Sequence, residues 1–136
     1  MPFVLDASVS ICWAFDEEDH GTPDLALKRL DEDEDQALVP ALWWFEVRNI
    51  LVINERRGRI SRGAVSGFLG VLGEMSVSPD HAPEETTILH LARSHRLAVY
   101  DAAYLELALR RSLPLATLDR ALARAAQSEG VALIGS

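Results

Sequence analysis

Four carboxylates stand out in this sequence by where they sit. Asp6 ends a short apolar run, Phe3-Val4-Leu5. Glu46 lies among Leu42, Trp43, Trp44, Phe45, Val47, Ile50, Leu51, Val52 and Ile53. Asp101 and Asp119 each stand where a helix is expected to begin. A helix that is apolar nearly all round is expected to be buried nearly all round, so Glu46 should face the interior or a cleft. A carboxylate taken out of water must be paired, protonated or bound to a cation. A partner for Glu46 could be Arg48 or another arginine, and Asn49 shares its helix face. Each acid also has an ordinary use. Asp6 could cap a turn, and Asp101 and Asp119 could be helix N-caps. Thr117 could be a plain strand residue, and Ser8 a plain helix cap.

Convergence of the four would need a different account. Two like charges about 4 Å apart repel by roughly 4 kcal/mol at an effective dielectric near 20. Protons or a divalent cation must offset that repulsion. Hard oxygen ligands without a Cys or His pattern suit Mg2+ or Mn2+. Mg2+ fills the rest of its shell with water and phosphate oxygens, which points to a phosphodiester substrate.

The elements that must position these residues alternate along the chain. Strands are expected at Phe3–Leu5, Ala37–Val39, Met75–Val77, Pro114–Thr117 and Val131–Ile134. Helices are expected over Val9–Phe15, from Pro23 to the acidic run, and over Ala41–Arg57. Further helices are expected from Ser61 to about Gly73, from Pro83 to His95, over Asp101–Arg111 and over Asp119–Gln127. Leu97–Tyr100 reads either as loop or as the lead-in to a helix. Short continuous apolar strands between helices are the pattern of a parallel sheet covered on both faces. The expected fold is therefore one three-layer α/β/α sandwich spanning residues 1–136. Ligands of open α/β sheets sit beyond the carboxyl ends of the strands, where Asp6 and Asp119 are placed.

Composition limits the alternatives. The 136 residues carry 13 Lys plus Arg against 21 Asp plus Glu, so a strongly basic nucleic-acid footprint is missing. The excess acid lies in Asp16–Asp19 and Asp31–Asp35, read as solvated surface. No apolar run approaches the roughly 18 residues of a spanning helix, and no basic leader precedes Phe3. The single cysteine, Cys12, excludes an internal disulfide and suits a reducing cytoplasm. Arg56, Arg57, Arg59 and Arg62 cluster between two helices, as solvated charges or as phosphate contacts. Gly63, Gly67, Gly70 and Gly73 recur along one helix, either as a weak surface helix or as a site of close approach by another helix, such as one from a second subunit.

In this order the segments resemble the PIN-domain ribonucleases, specifically the VapC-type toxins of bacterial toxin–antitoxin pairs. The resemblant pieces are Val4-Leu5-Asp6-Ala7-Ser8-Val9, Trp13-Ala14-Phe15 with Glu17-Glu18, and Val39-Pro40 with Glu46 and Asn49. Tyr100-Asp101-Ala102-Ala103-Tyr104-Leu105 with Ala108 is the most specific, and Leu115-Ala116-Thr117-Leu118-Asp119 with Leu122 closes the set. The resemblance implies a Mg2+ or Mn2+ site of Asp6, Glu46, Asp101 and Asp119. Ser8 and Thr117 match positions that orient water or the metal shell, and Asn49 a supporting polar position. It further implies hydrolysis of RNA to 5′-phosphate and 3′-hydroxyl ends, a homodimer, and silencing by a cognate VapB-type antitoxin. Part of the Trp43–Phe45 helix could then line a groove for an amphipathic antitoxin helix. The acidic total charge and Cys12-Trp13, where many relatives carry a basic residue before the aromatic, depart from the pattern.

One reading of another class remains. Asp6-x-Ser8-x-Ser10 also matches the start of a metal-dependent adhesion site, which would make the protein a binding module without catalysis.

Overall fold

The computed structural model describes residues 1–15 and 21–135. The first acidic patch, Asp16–Asp19, with the Glu17-Glu18 part of the resemblance, therefore lies outside the described residues. Strands β1 (Phe3–Leu5), β2 (Ala37–Pro40), β3 (Val77–Asp80) and β4 (Leu115–Ala116) form one sheet in the order β3-β2-β1-β4. Every pairing is parallel, with Val4 beside Leu38 on one side and beside Leu115 on the other. All residues of β1, β2 and β4 are buried, as expected of strands covered on both faces.

The helices are α1 (Ala7–Ser10), α2 (Gly21–Asp31), α3 (Leu42–Arg56), α4 (Arg62–Gly73), α5 (Glu85–His95), α6 (Val99–Arg111) and α7 (Arg120–Ser128). A short 3-10 turn, Ile11–Ala14, continues α1. Helices α5, α6 and α7 pack together, and α6 lies directly on β1 and β2. Helices α1 to α4 form the other group, with α2 against β4 and α3 against β2. The result is the expected three-layer α/β/α arrangement. Helix α6 is its centre, with every residue from Ala102 to Ala108 buried.

Several boundaries differ from expectation for identifiable reasons. Strand β3 begins at Val77 rather than Met75 and runs through Pro79. Proline has no N–H for a ladder, and β3 tolerates it because it is an edge strand. The expected strand at Val131–Ile134 is only a single bridge from Leu133 to Leu115. Helix α1 begins at Ala7, so Asp6 rather than Ser8 precedes it. Helix α6 starts two residues early, at Val99, so Asp101 sits in its first turn and Ala98 holds the cap position. Where the caps are as expected the geometry is direct: the Ser61 hydroxyl accepts the Ala64 N–H at 3.1 Å and starts α4. Gly58, at φ +72°, turns the chain out of the end of α3.

Helix α3 is the largest departure. Trp43, Val47 and Leu51 are buried, but Trp44 is 51% and Phe45 69% exposed, and Val52 is also exposed. Apolar content alone does not say which side of a helix the core takes. The open side of α4 is similar: a side chain built at Gly63, Gly67, Gly70 or Gly73 would meet nothing within 4 Å among the described residues.

Candidate active site

Strands β2 and β3 lie on one side of β1 and β4 on the other, so the topology switches between β1 and β4. Ligands of open α/β sheets bind in the crevice at the carboxyl end of that switch. The chain leaves β1 at Asp6 and leaves β4 at Thr117, and the two residues meet there. The Thr117 hydroxyl donates to Asp6 Oδ2 at 2.7 Å, and the Ser8 hydroxyl donates to the same oxygen at 2.7 Å. Ser8 Oγ also accepts the Leu118 N–H at 2.9 Å, and Thr117 Oγ1 the Asp119 N–H at 3.0 Å. Two hydroxyls thus tie the ends of β1 and β4 together and fix the Asp6 carboxylate, which is 5% exposed.

The other three acids arrive on separate helices. Asp119 is the N-cap of α7, and its Oδ1 accepts the Leu122 N–H at 2.9 Å. Asp101 comes from the first turn of α6 and Glu46 from α3. Glu46 does not pair with Arg48. The Arg48 guanidinium instead stacks 3.8 Å from the Trp44 ring centroid and donates to the Trp44 carbonyl at 3.1 Å. The partner of Glu46 is Tyr104, whose hydroxyl donates to Oε1 at 2.6 Å.

Electrostatics couples the acids in pairs. Burial pushes the Asp6 carboxyl above its ordinary range, and Asp119 adds to the rise against the hydroxyls that oppose it. Burial likewise raises Glu46, with Asp6 and Asp101 adding repulsion and the Tyr104 hydroxyl opposing it. Burial raises Asp101 too, reinforced by Asp119 and Asp6. None of the three is relieved by an arginine or lysine among the described residues. As pH rises from the ordinary carboxylate value through these raised ones, the cluster loses stability unless something positive joins it.

The donor set fits a hard divalent cation in its chemistry: oxygen ligands only, buried at Asp6 and part-buried at Glu46, Asp101 and Asp119, and repelling one another pairwise. Among the described residues, no three Asp, Glu, His or Cys side chains are drawn close enough to ligate one ion together. A small ion that keeps several waters and takes one or two carboxylates at a time needs no tighter gathering.

The remaining candidates divide. Asn49 is exposed on α3, one turn beyond Glu46. Ser10 is fully buried, accepting the Trp43 indole N–H at 2.9 Å and donating to the Asp6 backbone carbonyl at 3.4 Å. It is thus spent on the core rather than beside the Asp6 carboxylate, as an adhesion-type site would need. Tyr104 was not singled out by sequence. Its signal is a phenol on the inner face of α6, one turn from Asp101, whose buried hydroxyl must have a partner. Also missed is Glu106, 1% exposed. Its Oε1 accepts from Arg110 Nε at 2.6 Å and from the Glu84 N–H at 3.1 Å. Arg110 also grips Asp80 at 2.9 Å, joining α6 to the edge strand β3.

Comparison with known proteins agrees with this fold. A family model described as PIN domain matches residues 3–128. The fold is similar to the crystal structure of PAE2754 from Pyrobaculum aerophilum, with TM-score 0.72 and 25% identity over 92% of this chain and 84% of that one. It is also similar to FitAcB from Neisseria gonorrhoeae, with TM-score 0.59 and 20% identity over 98% and 96% of the two chains. At that identity the second likeness concerns the fold alone. No curated protein matches the chain by sequence.

Proposed function

The chain belongs to the PIN-domain family, whose members are generally nucleases that use divalent metals, and from that premise we propose that it is a Mg2+- or Mn2+-dependent endoribonuclease. The observation that supports this reading is the pairwise repulsion that links Asp6 with Asp119, Glu46 with Asp6 and Asp101, and Asp101 with Asp119, with no arginine or lysine relieving Asp6, Glu46 or Asp101 among the described residues. The residues proposed to hold the cation are drawn from Asp6, Glu46, Asp101 and Asp119, one or two carboxylates meeting the ion directly and the rest acting through its water shell. Bound by these residues, a divalent cation would supply polarisation of the phosphodiester and activation of a water for in-line attack. The chain's own part is placement. Asp6 is held by Ser8 and Thr117, Asp119 by its helix cap, and Glu46 by Tyr104. In this reading Thr117, which holds Asp6 and the Asp119 amide, would help orient water at the site, and Asn49, exposed on α3 beyond Glu46, would be a supporting polar residue. RNA as substrate rests on the family resemblance, as do a VapC-type toxin role, a homodimer and a VapB-type antitoxin. The single-domain extent, residues 1–136, and a cytoplasmic location belong to the same reading. Among the described residues no helix is long and apolar enough to cross a membrane.

The experiment is incubation of the purified chain with single-stranded RNA. Cleavage is expected in Mg2+ or Mn2+, leaving 5′-phosphate and 3′-hydroxyl ends, and none is expected in EDTA. Undiminished cleavage in EDTA, or ends of the opposite kind, would defeat the proposal.

A further inference from the structure

Tyr104 holds Glu46 in a way that bears on which ion the site accepts. Its hydroxyl has one proton to give and is 2.6 Å from Glu46 Oε1. Tyr104 itself is fully buried on α6, in the run Ala102–Ala108 that forms the centre of the fold, so the hydroxyl cannot swing away. Glu46 is only part-buried, and its other oxygen, Oε2, is not the one Tyr104 takes.

We propose that Tyr104 is a positioning residue that takes one lone pair of Glu46 Oε1 and fixes the carboxylate, so that contact with a cation through both oxygens is handicapped and the site favours Mg2+ or Mn2+ over Ca2+. The inference rests on the reading of Glu46 as a metal ligand. Its chemical basis is the difference between the ions. Mg2+ requires a near-ideal octahedron of single oxygens at short distance, whereas Ca2+ takes six to eight oxygens and accepts both oxygens of one carboxylate. A carboxylate with one oxygen already hydrogen-bonded suits the first and handicaps the second. Hydrogen-bond partners of metal ligands commonly change affinity by about 10- to 100-fold when removed.

The test is ion binding to the full chain without RNA. Mg2+ and Ca2+ would each compete against Mn2+ followed by electron paramagnetic resonance. The wild type would be compared with Tyr104→Phe, Glu46→Gln and the double variant. Wild type is expected to prefer Mg2+. Tyr104→Phe is expected to weaken Mg2+ about 10-fold while Ca2+ binding holds or tightens. In the Glu46→Gln background the tyrosine change should have no further effect on either ion. An unchanged Mg2+-to-Ca2+ ratio in Tyr104→Phe, with Mg2+ binding lost in Glu46→Gln, overturns the inference and leaves the proposed function standing. Full Mg2+ binding by Glu46→Gln, or none by wild type, defeats the reading of the site and the inference with it. A Ca2+-soaked wild-type crystal answers without any substitution: Glu46 should meet the ion through one oxygen, and a two-oxygen contact overturns the inference.

Discussion

Asp101→Asn should leave the protein folded and lower RNA cleavage about 1,000-fold, a loss of roughly 4 kcal/mol in the barrier. Asp101 sits in the first turn of α6 and caps nothing, so its side chain holds no part of the helix together. The change removes a favourable carboxylate from a helix N-terminus, worth about 0.3–1 kcal/mol. It also removes a charge that repels Glu46 and is itself repelled by Asp119 and Asp6. The two effects oppose each other, and the melting temperature should stay close to wild type. Asparagine keeps an oxygen but not the charge that holds a divalent ion. Steady-state cleavage and a thermal melt at the same Mg2+ concentration check both halves. Cleavage within a few-fold of wild type in a folded variant would remove Asp101 from the site.

Arg110→Met should have the largest effect on stability. The guanidinium donates to Glu106 at 2.6 Å and 3.3 Å and to Asp80 at 2.9 Å and 3.2 Å. The Asp80 and Glu106 side chains are only 7% and 2% exposed. Removing the shared cation strands two carboxylates whose remaining partners among the described residues are the Glu84 and Ala82 amides and a 3.4 Å contact from Arg111. Breaking a buried pair from one side costs about 3 kcal/mol or more, which corresponds to a fall of roughly 10 °C in melting temperature for a chain of this size. The loss should depend on pH. The Arg110 hydrogen bonds hold the Asp80 carboxyl below its ordinary value. Its stabilisation is therefore complete above that ordinary value, about 4, and disappears as pH falls through the lowered one. The gap between wild type and variant should be widest at neutral pH and narrow in acid. A neutral-pH melt within about 3 °C of wild type would mean that the network contributes little.

These two residues also mark what was legible in the sequence. Asp101 was found because it stands at a helix start beside Tyr100 and Ala102, although the helix begins at Val99 and the expected cap is absent. Asp6, Asp119 and Thr117 were found because strand ends and helix starts are local signals, and the Asp119 cap is present as expected. Arg110 was not found. Its partners are Glu106, one turn away, and Asp80, thirty residues away, and nothing local distinguishes that arginine from any other at a helix C-terminus. The same holds for Glu46. Its apolar neighbours signalled burial, but its partner lies 58 residues away on another helix. Pairing across elements is a property of the fold, whereas caps and strand ends are properties of a few consecutive residues. Helix α3 shows the converse: Trp44 and Phe45 have the composition of core residues, yet both lie on its exposed side.

The acidic run Asp31–Asp35 illustrates the ordinary use of charge. Asp31 to Glu34 are exposed, and Asp35 pairs with the N-terminal amine at 2.9 Å and with Arg29 at 3.0 Å. Asp35 has its counter-charges and needs no cation. Asp6, Glu46 and Asp101 are buried or part-buried and draw no such relief from the described residues. That contrast is the physical ground for assigning a cation to the second group and not to the first.

The most direct test is anomalous diffraction from crystals of the full chain soaked in Mn2+. The account predicts an anomalous peak at the carboxyl end of β1 and β4, ligated by Asp6 and at least one of Glu46, Asp101 and Asp119, and absent from Asp101→Asn crystals. Manganese bound only at the Asp31–Asp35 run, or a peak at the switch that persists unchanged in Asp101→Asn, would contradict it.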